Sequence, residues 1–183
     1  MINLYEDLKM CWDGLKLQHC ERLFSPTVWP YLTGDGLLGY AKVSVSSGDR
    51  WDFAEDGIGC LTVAVHSDQQ LVDIVAFPPS KPDQWLVRTG NGVFLGEDHL
   101  IEAEMNWNPE HIPLVVPTVL EWLHTKGQSI CIVDPIPDAL RRLRDLDALE
   151  VPTKEFGQVL RLQMSKPPRL PEITIVKGAR DAA

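Results

Sequence analysis

Apolar positions recur at three- and four-residue spacing near the start of the chain and change to alternation by residue 41. Over residues 3–23, Leu4, Leu8, Cys11 or Trp12, Leu15 and His19 fall on one face, which predicts an amphipathic helix. Asn3 is placed as its N-cap, and Glu6 three residues on completes a capping box. Gly14 weakens the middle of this helix by about 1 kcal/mol relative to alanine. Residues 25–39 are rich in Pro and Gly and read as a loop. Residues 41–47 then alternate, with Val43 and Val45 on one face. Residues 59–67 and 70–77 are β-branched and meet at Ser67, Asp68 and Gln69, which predicts a hairpin ended by Pro78 and Pro79. Residues 85–88 and 92–95 flank Thr89, Gly90 and Asn91, the signal for another hairpin. The expectation is an antiparallel meander of about four or five strands.

Helical spacing returns after residue 96. Residues 97–105 predict a short helix, and a stronger one starts at Pro113 or Pro117 and runs to Lys126, stopped by Gly127. Residues 129–133 read as a buried strand and 137–146 as a helix. Residues 157–164 read as a further strand, with Val159, Leu160 and Leu162 apolar. The tail, 167–183, is rich in Pro, and residues 173–176 read as an edge strand. These elements predict a single α+β domain over residues 1–166. It has an N-terminal helix, a mainly antiparallel sheet and a helix–strand–helix unit packed on that sheet.

Composition narrows the function classes. The chain has 183 residues, 44% hydrophobic and 23% charged, which suits one globular domain with a sizeable core. The longest apolar stretches, residues 71–77 and 112–120, fall far short of the roughly 20 residues of a membrane helix. The first residues carry Glu6 and Asp7 and no basic leader, so a secretory signal is not expected. Four widely spaced cysteines, Cys11, Cys20, Cys60 and Cys131, then read as reduced and buried in a cytoplasmic protein. The net charge of −9 is uneven: residues 1–125 hold 7 basic and 18 acidic residues, residues 126–183 hold 10 and 8. A long acidic body repels a phosphate backbone, which disfavours nucleic acid as a partner, Arg141, Arg142 and Arg144 being the local exception.

Candidate chemistry is sparse. Asp134 falls where a strand ends and Asp138 opens the next helix, a common place for a general base or a metal-binding carboxylate. The same residues serve equally as an N-cap and a first-turn charge, with Arg141 or Arg142 pairing one turn on. His99 and Glu102, at i and i+3, share a helix face with Glu104 nearby. This is either part of a carboxylate-rich metal site or a solvated acidic helix. Gly34, Gly36 and Gly39 match the dinucleotide pattern GxGxxG, but prolines precede them and a strand follows, so they read as a loop. Asp49, Asp52, Glu55 and Asp56 are dense in oxygen ligands yet lack calcium-loop spacing, and read as a polar turn pinned by Trp51 and Phe53. No GxSxG elbow, HExxH or P-loop occurs, and no cofactor is expected. The tryptophans Trp29, Trp51, Trp85, Trp107 and Trp122 are core residues or interface anchors.

Residues 71–165 resemble uncharacterised prophage or mobile-element proteins of proteobacteria. The resemblance lies in DIVAFPPSKPDQWLVRTG with Leu95 and Gly96, PTVLEWLHTKGQSICIVD and ALRRLRDL. It implies a setting near replication-priming genes and transfers no functional residue. The first expectation is a non-enzymatic accessory or protein-interaction protein, with another protein as partner and a homodimer as one arrangement. The alternative is a small carboxylate- or metal-dependent hydrolase.

Overall fold

The computed structural model describes residues 2–21, 23–24, 29–34, 36–107 and 112–165. Helix α1 (Leu4–Gly14) starts at Asn3, whose side chain accepts from the Glu6 amide. It ends at Gly14 rather than running to residue 23, and a 3-10 turn (Leu17–His19) follows. Gly14 sits where a Cβ would meet the Tyr40 carbonyl oxygen at 2.6 Å, so the helix C-terminus presses directly on the first strand. Helix α2 (Trp29–Gly34) occupies part of the stretch read as loop.

Five strands close into a barrel: β1 (Gly39–Ser47), β2 (Arg50–Phe53), β3 (Ile58–Ser67), β4 (Gln70–Phe77) and β5 (Leu86–Val87). The expected β3–β4 hairpin is present, with Leu61 opposite Phe77 and Val63 opposite Val75. Closure comes from β5, which runs antiparallel to β4 and meets β2 in parallel through Arg50 and Val87. Val43 is buried but Val45 is 60% exposed, at the point beyond which the β1–β2 register shifts. One apolar cluster draws on all five strands, with Ala41, Val43, Trp51, Cys60, Ile74, Ala76 and Leu86, and so fills the barrel interior. Leu8 and Cys11 of α1 close this cluster, which makes α1 the barrel's plug.

Residues 85–95 form no hairpin. β5 stays with the barrel, whereas β6 (Phe94–Leu95) joins a second sheet of order β6–β8–β7 with β7 (Val115–Val116) and β8 (Ile130–Ile132). This sheet is buried on both faces, so each of its strands is apolar at every position. Leu95, Val116 and Cys131 face the barrel's outer surface. Phe94, Val115 and Ile130 face the other way, onto a helical layer. That layer comprises α3 (Glu97–Glu104), α5 (Pro137–Arg144) and α6 (Lys154–Met164), while α4 (Val119–His124) packs on the barrel side.

The α+β class therefore holds, with one element reversed. Residues 157–164 are helix, not strand. Thr153 caps α6 by accepting from the Phe156 amide at 3.2 Å, and Phe156, Leu160 and Met164 then recur every four residues against α5. Val159 and Leu162, which suggested a strand, point to solvent at 53% and 66% exposure. The edge strand expected at 173–176 lies outside the described residues.

Candidate functional site

The most elaborated polar centre joins α1 to the barrel. Asp73 lies in the apolar run of β4 and is fully buried. A buried carboxylate requires strong partners, and six backbone amides supply them. Its Oδ1 accepts from Ile74, Arg88 and Thr89, each at 2.8 Å. Its Oδ2 accepts from Gly90, Asn91 and Gly92 at 2.8, 3.0 and 3.1 Å. The segment 88–92 is thus wound around one carboxylate. Gly90 adopts φ +75°, and a Cβ on Gly92 would meet the Asp73 Cβ at 2.8 Å, so both glycines are needed for the wrap. Arg88 leaves this loop and donates to Asp7 of α1 at 2.8 Å, to Asp52 at 2.5 Å and to the Trp51 carbonyl at 3.0 Å. Its guanidinium lies over the Trp51 and Phe53 rings. Asp73 therefore has its hydrogen-bonding positions filled by the protein itself, and Arg88 is committed to Asp7, Asp52 and the Trp51 carbonyl. Their arrangement anchors the plug.

Sequence reasoning passed over this centre, although its signal was present. An Asp inside a β-branched apolar run calls for donors, and the Thr89–Gly92 stretch with two glycines is where a chain can offer consecutive amides.

The residues expected to carry chemistry are placed as follows. Asp134 is exposed just after β8, and Asp138 is exposed in the first turn of α5. Asp138 bonds Arg141 at 2.7 Å, the i+3 pairing expected, and Arg141 also reaches Asp145. Asp134 does not cap α5, whose N-cap is Ile136 with no side-chain bond. On α3, His99 Nε2 is 3.0 Å from the Gly127 carbonyl and its Nδ1 is 3.6 Å from Glu102. No hydrogen bond or ion pair among the described residues joins Asp134 or Asp138 to His99 or Glu102. Nor do the described residues include a group of three or more His, Cys, Asp or Glu side chains placed to hold a metal ion. Glu104, near His99 in sequence, instead pairs with Arg142 at 2.8 Å, and Arg142 also bonds Glu97. These contacts lock α5 to α3.

All four thiols are buried. Burial pushes Cys11 and Cys60 up to about 11, and Cys20 and Cys131 up to about 12. Thiols held protonated in this way are poor nucleophiles. A groove of about 720 Å³ runs between the end of α1 and β1. There His19 stacks on Tyr40 with ring centroids 3.6 Å apart, and burial followed by the Lys16 charge lowers its pKa below the ordinary 6.5.

The tryptophans divide clearly. Trp12, Trp51, Trp85 and Trp122 each donate the indole N–H to a backbone carbonyl, those of Gly36, Ile74, Val133 and Ser129. Among the described residues Trp107 has no such bond, and it stands 70% exposed two residues after Met105, itself 62% exposed. Its position is fixed by the end of α3: Asn106 turns left-handed at φ +51°, and the Trp107 amide donates to the Glu102 carbonyl.

Comparison with known protein families, with curated proteins and with solved structures finds no match to this chain. No described helix is long and apolar enough to cross a membrane.

Proposed function

We propose that the protein is a non-enzymatic interaction protein that docks another protein on its helical layer, as an accessory of the mobile-element kind its sequence resembles. The observation that carries this reading is Trp107. A large amphipathic ring on a hydrogen-bonded turn, with no side-chain hydrogen bond among the described residues and two residues from an exposed Met105, has the character of an interface anchor. The fate of the other ionisable groups supports it. Among the described residues Asp73, Arg88 and Arg142 are engaged in holding the fold and the thiols are buried, so none of them is free to act as acid, base or nucleophile.

The test is a photo-crosslinking residue placed at Met105 in producing cells, with Asp68 on the far β3–β4 turn as control position. A discrete product from position 105, absent from 68 and lost on Trp107→Ala without loss of thermal stability, is the expected result. No product, or one indifferent to Trp107, overturns the reading.

A further inference from the structure

A second groove, of about 580 Å³, lies between the end of α5, the segment after it and α6. Its floor is apolar, with Leu146, Leu149, Val151 and Met164. Gly157 makes room for it, since a Cβ there would meet Val151 at 3.0 Å. Its rim carries Arg144, Lys154 and Arg161, against one acid, Asp147. All four are exposed, and among the described residues none forms an ion pair. That contrasts with Arg141 and Arg142 on the same helix, each of which meets two carboxylates. In a chain with nine more acids than bases, three cations unpaired among the described residues around one apolar groove present a charge that an acidic partner would complement.

We infer that this groove receives an acidic amphipathic helix from a partner protein, its apolar stripe on the floor and its carboxylates against Arg144, Lys154 and Arg161. The inference rests on the interaction reading and names the chemistry of the partner. Charge argues against the chain's own tail as occupant, because residues 166–183 hold four basic and two acidic residues. A second copy is also disfavoured. The chain's acidic helices α1 and α3 already turn Leu8, Cys11 and Leu100 into its own core, and the apolar residues α1 leaves exposed, Tyr5, Met10 and Trp12, do not make a stripe at i, i+3, i+4 and i+7.

The experiment uses the full chain and a fluorescein-labelled synthetic 15-residue helix with Leu at i, i+3, i+4 and i+7 and Glu on its flanks. A Lys-for-Glu counterpart is the control, and anisotropy is the readout. Tighter binding of the acidic peptide by about tenfold or more is expected, weakened by a similar factor in R144E/R161E and by raised salt. The far-ultraviolet circular dichroism of the variant should match the wild type. No binding, equal binding of the two peptides, or indifference to the charge reversal overturns the inference. So does a dimer in sedimentation that the same reversal dissociates. A Trp107-dependent crosslink that survives R144E/R161E while the peptide fails to bind removes the groove proposal alone and leaves the interaction reading standing.

Discussion

Replacing Asp73 by Asn tests the buried carboxylate directly. It alters no volume and removes one charge and one acceptor. In the native protein three amides converge on each carboxylate oxygen. An asparagine must turn its NH₂ toward one set of three, so donors face donors whichever way it is placed. A buried amide left unpaired costs about 1–3 kcal/mol. Gly90 and Asn91 are exposed, so water reaches part of the loop and offsets some of this. The expected loss is about 3–5 kcal/mol, a large share of the 5–15 kcal/mol typical of a domain. Urea unfolding followed by tryptophan fluorescence and by circular dichroism measures it, with Asp52→Asn, whose side chain is 57% exposed, as the milder comparison. A loss below about 1 kcal/mol for Asp73→Asn would refute the reasoning, because six amide contacts would then contribute no more than one ordinary hydrogen bond.

Arg88→Met leaves Asp7 buried without its partner and is expected to cost about 3 kcal/mol. Adding Asp7→Asn should recover part of that loss, and a double-mutant cycle in urea reads the coupling. The buried thiols predict alkaline sensitivity. In the unfolded chain Cys131 ionises at its ordinary 9.0, and in the folded protein at about 12. Its contribution is therefore complete below pH 9 and is lost as pH rises toward 12, about 1.4 kcal/mol of it by pH 10. Urea midpoints at pH 8 and 10 check the sign, and all four cysteines should react with a thiol reagent only on unfolding. Asp134→Ala and Asp138→Ala should each shift stability by no more than about 0.5 kcal/mol. The first caps nothing, and the second loses only an exposed pair with Arg141.

Elements defined by local chemistry were legible in the sequence. Asn3 and Glu6 start α1, the polar turn at Asp68 and Gln69 joins β3 to β4, and Gly127, at φ +77°, ends the turn after α4. Misreadings arose where partners distant in sequence decide. Thr89–Asn91 has hairpin chemistry, yet its amides serve Asp73 on another strand, so the flanking residues separate into two sheets. Residues 157–164 alternate well enough for a strand, but the cap that makes them helix stands outside that window at Thr153. The candidate acids were correctly placed at a strand end and a helix start, which gives position but not company. No local pattern announces that Glu97 and Glu104 belong to Arg142 across an interval of about forty residues.

Two groups of charges on opposite sides of the buried double-faced sheet differ in their surroundings. On the barrel side one group of charges is withdrawn from water: Asp7 pairs with Arg88, which also reaches the more exposed Asp52, and Asp73 is held by its amides. On the helical side, Arg144, Lys154 and Arg161 are exposed beside an apolar groove and unpaired among the described residues. Removing one partner of a buried pair destabilises the fold, whereas reversing an exposed charge acts mainly on association. Stability and recognition should therefore separate under mutation. Variants around Arg88 should lower unfolding midpoints in proportion to burial, and variants around Arg144 should leave them unchanged. A charge reversal on the groove rim that unfolds the protein would show that Arg144, Lys154 or Arg161 bears structural load, and the separation of stability from recognition would fail.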